Sequence, residues 1–194
     1  MKILCLNGSP RPDGSSAILI RQILAGFHAE VHEVRQWDLG DAEIGYCSGC
    51  KSCYSTGRCV QRDDVDRILA DLVAADLVIV ASPSYWGDVT GQMKVFFDRN
   101  TPYADTNPNV DKLVVPAGKA GVSVAVRAGK AERENLHILD SIEHYFGHLG
   151  ITPRGRLSVT GVDTVEDLIS QPDALRRAYA LGEELWAEFG KCGE

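Results

Sequence analysis

Short apolar runs alternate with amphipathic stretches along nearly the whole chain. Residues 1–6, 77–81 and 121–126 are mostly apolar runs of strand length and predict buried strands. Residues 29–36 alternate poorly and predict a half-exposed edge strand, and residues 156–160 predict the last one. Between them, Ile18, Ile20, Ile23, Leu24 and Phe27 recur at helical spacing, with Ser15 or Ser16 as the cap. Val65, Ile68, Leu69, Leu72 and Val73 form a second stripe behind Asp63 or Asp64. Further helices are predicted over 90–100, 131–149 and 172–189, the last with Leu175, Ala178, Leu185 and Phe189 on one face. No internal repeat interrupts this order. Strands alternating with helices predict a single α/β domain over 1–194, a doubly wound, five-stranded parallel sheet.

In such a sheet, ligands sit at the carboxyl ends of the strands, at the switch point of the strand order. For the order 2-1-3-4-5 that point lies between strands one and three, and the loops after those two strands carry the unusual chemistry. The first reads Asn7-Gly8-Ser9-Pro10-Arg11-Pro12-Asp13-Gly14-Ser15-Ser16-Ala17. A strand that turns through Gly, Pro and Ser into a helix presents backbone N–H groups at a helix N-terminus, an anion site suited to phosphate. Arg11 adds the loop's one fixed positive charge; Ser9, Ser15 and Ser16 add hydroxyl donors. The ATP-binding loop is excluded, because five residues separate Gly8 from Gly14 and Ser15 stands where Lys is required. The dinucleotide fingerprint G-x-G-x-x-G is absent. Cys5 and Arg11 have the C-x5-R spacing of a phosphatase loop, a remote alternative, but the alternation places Cys5 inside the strand. The second loop, Pro83-Ser84-Tyr85-Trp86-Gly87, joins a stiff proline to aromatic area beside which a flat ring could lie. Together the loops favour one mononucleotide bound across both.

A formal charge of −7 argues against nucleic acid and anionic membranes as partners. No run approaches the ~18 apolar residues of a membrane span, and the first strand runs straight into its loop without a signal peptide. The expectation is a cytoplasmic protein with reduced cysteines. Four of the six cysteines fall in a polar insertion after strand two, residues 38–62, spaced Cys47-x2-Cys50-x2-Cys53-x5-Cys59. Four thiols in one short loop can surround a compact cluster, and Ser48, Gly49, Ser52 and Ser55 let backbone N–H groups reach its sulfurs. The spacing differs from the ferredoxin run in its last gap. Free thiols, a disulfide and zinc are the alternatives that these residues leave open.

With those loops in hand, the chain resembles the flavodoxin-like NAD(P)H-dependent FMN reductases, and within them the iron–sulfur flavoproteins. The match rests on Asn7-Gly8-Ser9-Pro10-Arg11, the four-cysteine run before Asp63-Asp64, Ser82-Pro83-Ser84-Tyr85-Trp86-Gly87, Met93-Lys94-Val95-Phe96-Phe97-Asp98-Arg99, and Gly147-His148-Leu149-Gly150-Ile151. The resemblance implies FMN, with Ser9, Arg11, Ser15, Ser16 and Ala17 at its phosphate. Pro83, Ser84, Tyr85, Trp86 and Gly87 would line the isoalloxazine, and the turn from Arg127 to Gly129 and Lys130 would close the far side. It implies a [4Fe–4S] cluster on Cys47, Cys50, Cys53 and Cys59, and NAD(P)H as electron donor. No catalytic side chain is needed, because the flavin carries the hydride chemistry. The implied activity is electron transfer from NAD(P)H or ferredoxin to a quinone, an oxygen species or another flavin. The alternative is an electron carrier with a protein partner.

Two lesser signals remain. His144 and His148 are one helical turn apart and could face a metal, but such a pair is usually surface or interface. Arg127 and Lys130 could read an NADPH 2′-phosphate or form a solvated basic turn. The long insertion and the Pro- and Asn-rich stretch 101–119 lie at one rim. With Tyr46, Tyr54, Tyr103 and Leu113 they predict an apolar surface that a second subunit covers, as a homodimer or homotetramer.

Overall fold

A computed structural model describes residues 1–27 and 33–189. The elements run β1 (Lys2–Asn7), α1 (Ser15–Ala25), β2 (Glu33–Asp38), α2 (Ser52–Thr56), α3 (Asp64–Ala74), β3 (Leu77–Pro83), α4 (Gly91–Arg99), β4 (Ala120–Val126), α5 (Arg133–His148), β5 (Thr152–Val159), α6 (Val165–Ile169) and α7 (Pro172–Phe189). The five strands pair in parallel in the order β2-β1-β3-β4-β5. This is the flavodoxin-like order expected from the sequence. The two short helices α2 and α6 are new, since a single turn is too brief to show a hydrophobic period. Residues 29–32 of the expected second strand, and Cys192, lie outside the described residues.

The sheet is buried on both faces, so its central strands read as unbroken apolar runs. One face of β1 and β3 (Leu4, Leu6, Val78, Val80) packs with Ile68 and Leu72 of α3, Phe96 of α4 and Ile142 of α5. The other face (Ile3, Cys5, Ile79) packs with Leu19 and Ile23 of α1 and with Ala178 and Leu185 of α7. β2 is the exposed edge, as its poor alternation foretold. No helix among the described residues is long and apolar enough to cross a membrane.

α1 and α7 approach so closely that their contact is made by backbone. A Cβ at Gly182 would lie 2.0 Å from the Ile23 carbonyl oxygen and 3.0 Å from Gly26 Cα. Neither neighbour is a flexible side-chain end, so only a helix shift could admit a methyl group. Gly182→Ala is therefore expected to cost about 2–3 kcal/mol, the upper part of the range for overpacking. A urea melt reads this as a lower midpoint with an unchanged slope; an unaltered midpoint would show that the helices are not held this close.

Candidate active site

The loop after β1 is folded by its own short-range hydrogen bonds. Asn7, fully buried at the strand end, accepts the Ser9 N–H at 3.1 Å through Oδ1 and donates to Asp38 Oδ1 at 2.7 Å. Ser9 Oγ accepts the Arg11 N–H at 3.0 Å, and the Gly14 N–H returns to the Arg11 carbonyl at 3.0 Å. A Cβ at Gly14 would come within 3.1 Å of that carbonyl, so this turn closes best with glycine. Gly14, and neither serine, is the N-cap of α1, and no side chain caps the helix. The N–H groups of its first turn thus have no intrahelical partner. This corrects the expected cap and strengthens the anion site, because a serine cap would have used the donors that an anion needs.

Ser16 sharpens the point. It is 1% exposed, and its Oγ has no hydrogen-bond partner. A buried hydroxyl without a partner costs about 1–3 kcal/mol, so a native fold retains one mainly where a ligand will satisfy it. Ser15 Oγ rests on the Thr164 carbonyl at 3.3 Å, and Arg11 Nη2 donates to the Asp163 carbonyl at 3.1 Å. The β5–α6 connection thereby holds the arginine beside the loop.

Two further walls complete one cleft. Ser9, Arg11, Ser15, Ser16, Pro83, Ser84, Tyr85 and Arg127 share it with Val126, Ala128, Val162 and Asp163. Tyr85 and Asp88 exchange backbone hydrogen bonds at 3.0 and 3.1 Å, making a tight hairpin with Trp86 and Gly87 at its tip. Both tip residues are left-handed, Trp86 at φ 55° and Gly87 at φ 79°. That conformation is ordinary for Gly87 and strained for Trp86. The Trp86 side chain is fully exposed and is not among the residues that line the cleft. Gly87 and Gly129 flank the cleft without lining it, and Ala17 is buried in the first turn of α1.

Glu134 links the two walls. Its carboxylate pairs with Arg127 at 2.8 Å and accepts from Ser84 Oγ at 3.4 Å. Arg127, a residue of the cleft wall, has a buried Nε without a partner among the described residues. Nothing in the sequence singled out Glu134, because a glutamate in a first helical turn is commonplace. Asn7 was quoted only as part of a motif; its inward phase on β1 was the available signal.

The four cysteines of the insertion form a second site. Cys47, Cys50, Cys53 and Cys59 line one cavity of about 200 Å³, with Arg99, Thr101 and Pro102 on its other side. All four are free thiols, Cys47 and Cys50 exposed, Cys53 and Cys59 half-buried. Gly49, Lys51 and Gly57 are left-handed, which curls the chain around the cavity. The Cys50 thiol is held below its usual pKa by the Ser52 hydroxyl and N–H and by Ser48. Burial pushes Cys53 up, and the charges of Cys59, Cys47 and Cys50 add to the rise, so the sulfurs feel one another. Among the described residues no three His, Cys, Asp or Glu side chains are grouped closely enough to hold a metal ion.

A buried ion pair closes the neck of this loop. Arg99, 1% exposed in its side chain, contacts Asp63 at 2.5 and 3.1 Å, the Gly45 carbonyl at 2.7 Å and Gln61 Oε1 at 3.1 Å. Asp63 in turn accepts the Gly45 N–H at 3.0 Å and caps α3 through the Val65 N–H. Burial raises the Asp63 carboxyl, but the bonds from Arg99, Gly45 and Val65 outweigh it and hold the group below its ordinary range. The pair is thus intact at neutral pH. Arg99 was legible in principle: it falls in phase with Met93 and Phe96, the buried stripe of α4, where a charge requires a partner.

The packing partner of the insertion is within the chain. Asn107 and Asn109 donate to the Cys53 and Tyr54 carbonyls at 3.2 and 3.3 Å, so the long stretch before β4 lies on α2. Tyr103 packs on the core rather than facing solvent, and Leu113 is half-buried. Cys5 is fully buried in β1, and burial pushes its thiol up to about 12, which removes the thiolate that a phosphatase would need. His148 bonds Asp105 at 2.6 Å and His144 at 3.1 Å, a surface chain already satisfied within itself.

The sequence profile of NADPH-dependent FMN reductases matches residues 1–148. An iron-sulfur flavoprotein of Archaeoglobus fulgidus is 32% identical over 189 residues, covering 97% of this chain and 80% of that protein. An iron-sulfur flavoprotein of Methanocaldococcus jannaschii is 40% identical over 102 residues, 53% of each chain, so the match spans about half of that relative. In three dimensions, the NAD(P)H:quinone oxidoreductase from Methanothermobacter marburgensis is similar over 95% of this chain and 96% of its own, with a TM-score of 0.71 at 18% identity. A likeness at that identity bears on the fold alone.

Proposed function

The chain belongs to the NADPH-dependent FMN reductase family, and we propose that it is an FMN oxidoreductase moving electrons from NAD(P)H or ferredoxin to a small acceptor such as a quinone, an oxygen species or another flavin. The observation that carries the FMN assignment is the unpartnered, buried Ser16 hydroxyl in the uncapped first turn of α1. Around that turn, Ser9, Arg11, Ser15 and the N–H groups of Ser16 and Ala17 would hold the phosphate. Pro83, Ser84, Tyr85 and the backbone of Trp86 and Gly87 would support the ring, with Arg127 and Gly129 opposite. When bound, FMN accepts hydride and releases electrons singly. The chain's part is to orient the ring and to keep Arg127 and Glu134 paired beside it.

We assign a [4Fe–4S] cluster to Cys47, Cys50, Cys53 and Cys59. Four free thiols around one cavity, in a run without the two separated Cys-x2-Cys pairs of a zinc ribbon, support a cluster over zinc. The names of the Archaeoglobus and Methanocaldococcus relatives point the same way. A cluster supplies one-electron transfer; the chain supplies the thiolates and the donors of Ser48 and Ser52.

We further propose a homo-oligomer of at least two subunits. With Tyr103 turned inward, the apolar rim is Tyr46, Val60, Trp86, Val110 and Val114, each more than half exposed. Light scattering at micromolar protein should give a dimer or larger, and a monomer refutes it. The exposed Trp86 beside the cleft also suits a carrier that docks a protein partner. That reading requires negligible NAD(P)H oxidation with quinones alongside rapid reduction by ferredoxin.

Two measurements test the cofactor assignments. Charge-assisted hydrogen bonds contribute roughly 1.5–3 kcal/mol, so Arg11→Ala should weaken FMN about tenfold or more. Ser16→Ala should weaken it by a smaller factor, and riboflavin, without a phosphate, should respond to neither change. Equal FMN affinity in parent and Arg11→Ala would sink the phosphate assignment. For the cluster, each of Cys47→Ser, Cys50→Ser, Cys53→Ser and Cys59→Ser should lower iron and sulfide while FMN stays bound; Cys5→Ser should change neither. Parent protein reconstituted without oxygen that gains no absorbance beyond the flavin bands would refute it.

A further inference from the structure

Arg99 has two unequal sides. It lines the four-cysteine cavity, where Lys51 and Asp98 are the other charged residues, whereas Asp63, which neutralises it, does not. Nη1 and Nη2 are used on Asp63, Gly45 and Gln61, but Nε is buried and has no acceptor among the described residues. Cys59 lines the same cavity as Arg99. The arrangement is a dipole with its positive end toward the sulfurs and its negative end in the neck, shielded from solvent. A surface charge at the same distance would be screened; a buried one acts at much lower dielectric.

We propose that Arg99 is the positioning residue that sets the reduction potential of the cluster held by Cys47, Cys50, Cys53 and Cys59, with Asp63 as the counter-charge that limits its effect. This rests on the cluster assignment above. Reduction adds one negative charge to an already anionic cage of thiolates and sulfide. A fixed positive charge facing the cage stabilises the reduced form more than the oxidised form and so raises the potential. Removal of the guanidinium lowers it. Removal of the carboxylate behind, with the guanidinium kept, raises it. A residue that merely ties the neck would not give shifts of opposite sign from its two partners.

The experiment uses full-length, FMN-loaded protein reconstituted anaerobically with iron and sulfide, as parent, Arg99→Gln, Arg99→Lys and Asp63→Asn. Asparagine caps a helix about as well as aspartate, so Asp63→Asn changes the charge while keeping the α3 cap. Iron, sulfide and FMN are counted, and the cluster is titrated by electron paramagnetic resonance. Arg99→Gln should lower the constant for one-electron reduction tenfold or more, which is about 59 mV. Arg99→Lys should restore most of that loss, and Asp63→Asn should shift the potential upward. Unchanged potentials in cluster-loaded Arg99→Gln and Asp63→Asn overturn the inference and leave the cluster standing. A parent that takes up no iron and sulfide overturns both. If Arg99→Gln loses its fold or its iron, the sign of the Asp63→Asn shift decides: upward supports the proposal, zero or downward ends it.

Discussion

Parallel pairing is the constraint from which the rest follows. When all five strands point one way, every strand-to-helix loop emerges at the same edge, and the order 2-1-3-4-5 parts the loops of β1 and β3. Helices cover both faces, which leaves that edge as the place where a polar ligand can meet backbone N–H groups without disturbing the core. Asn7 shows how tightly the edge is organised. One buried amide fixes the start of the phosphate loop and holds the end of β2, from which the cysteine insertion departs.

The sheet was readable because buried parallel strands are unbroken apolar runs, and β1, β3 and β4 have that form. The loops were readable because their residues are chosen for backbone chemistry: Gly14 for the turn, Pro83 for stiffness, four cysteines for their thiols. What escaped is what depends on partners distant in sequence. A serine before an apolar stripe usually caps the helix; here Gly14 caps α1, Ser15 bonds the Thr164 carbonyl and the Ser16 hydroxyl is without a partner among the described residues. The left-handed turn that leaves the Trp86 side chain fully exposed depends on the tight Tyr85–Asp88 pairing rather than on any local period. Glu134 matters through a contact 50 residues away, which no local period reveals, and the phase that buries Arg99 does not name its partner 36 residues away.

The two sites are joined by one rigid element. α4 begins beyond the hairpin of the flavin cleft and ends at Arg99 in the wall of the cysteine cavity. Its nine residues span about 13 Å at 1.5 Å per residue. Met93 and Phe96 bury its inner face in the core, so neither end can shift without the other. The separation between the cleft and the cysteine cavity within one chain is thereby a property of a helix.

The neck of the insertion has a different kind of consequence, one for how such a chain changes over generations. Gly45 on the way in and Gln61 and Asp63 on the way out are drawn together by Arg99, so close that a Cβ at Gly45 would meet Gln61 Oε1 at 2.4 Å. A loop pinched at its base passes little of its internal shape to the scaffold, and loop-closure entropy rises only slowly with length. Residues can be gained, lost or exchanged between the cysteines while the sheet edge and the phosphate loop stay as they are. The clamp makes the cysteine loop a detachable trait carried by an otherwise settled sheet.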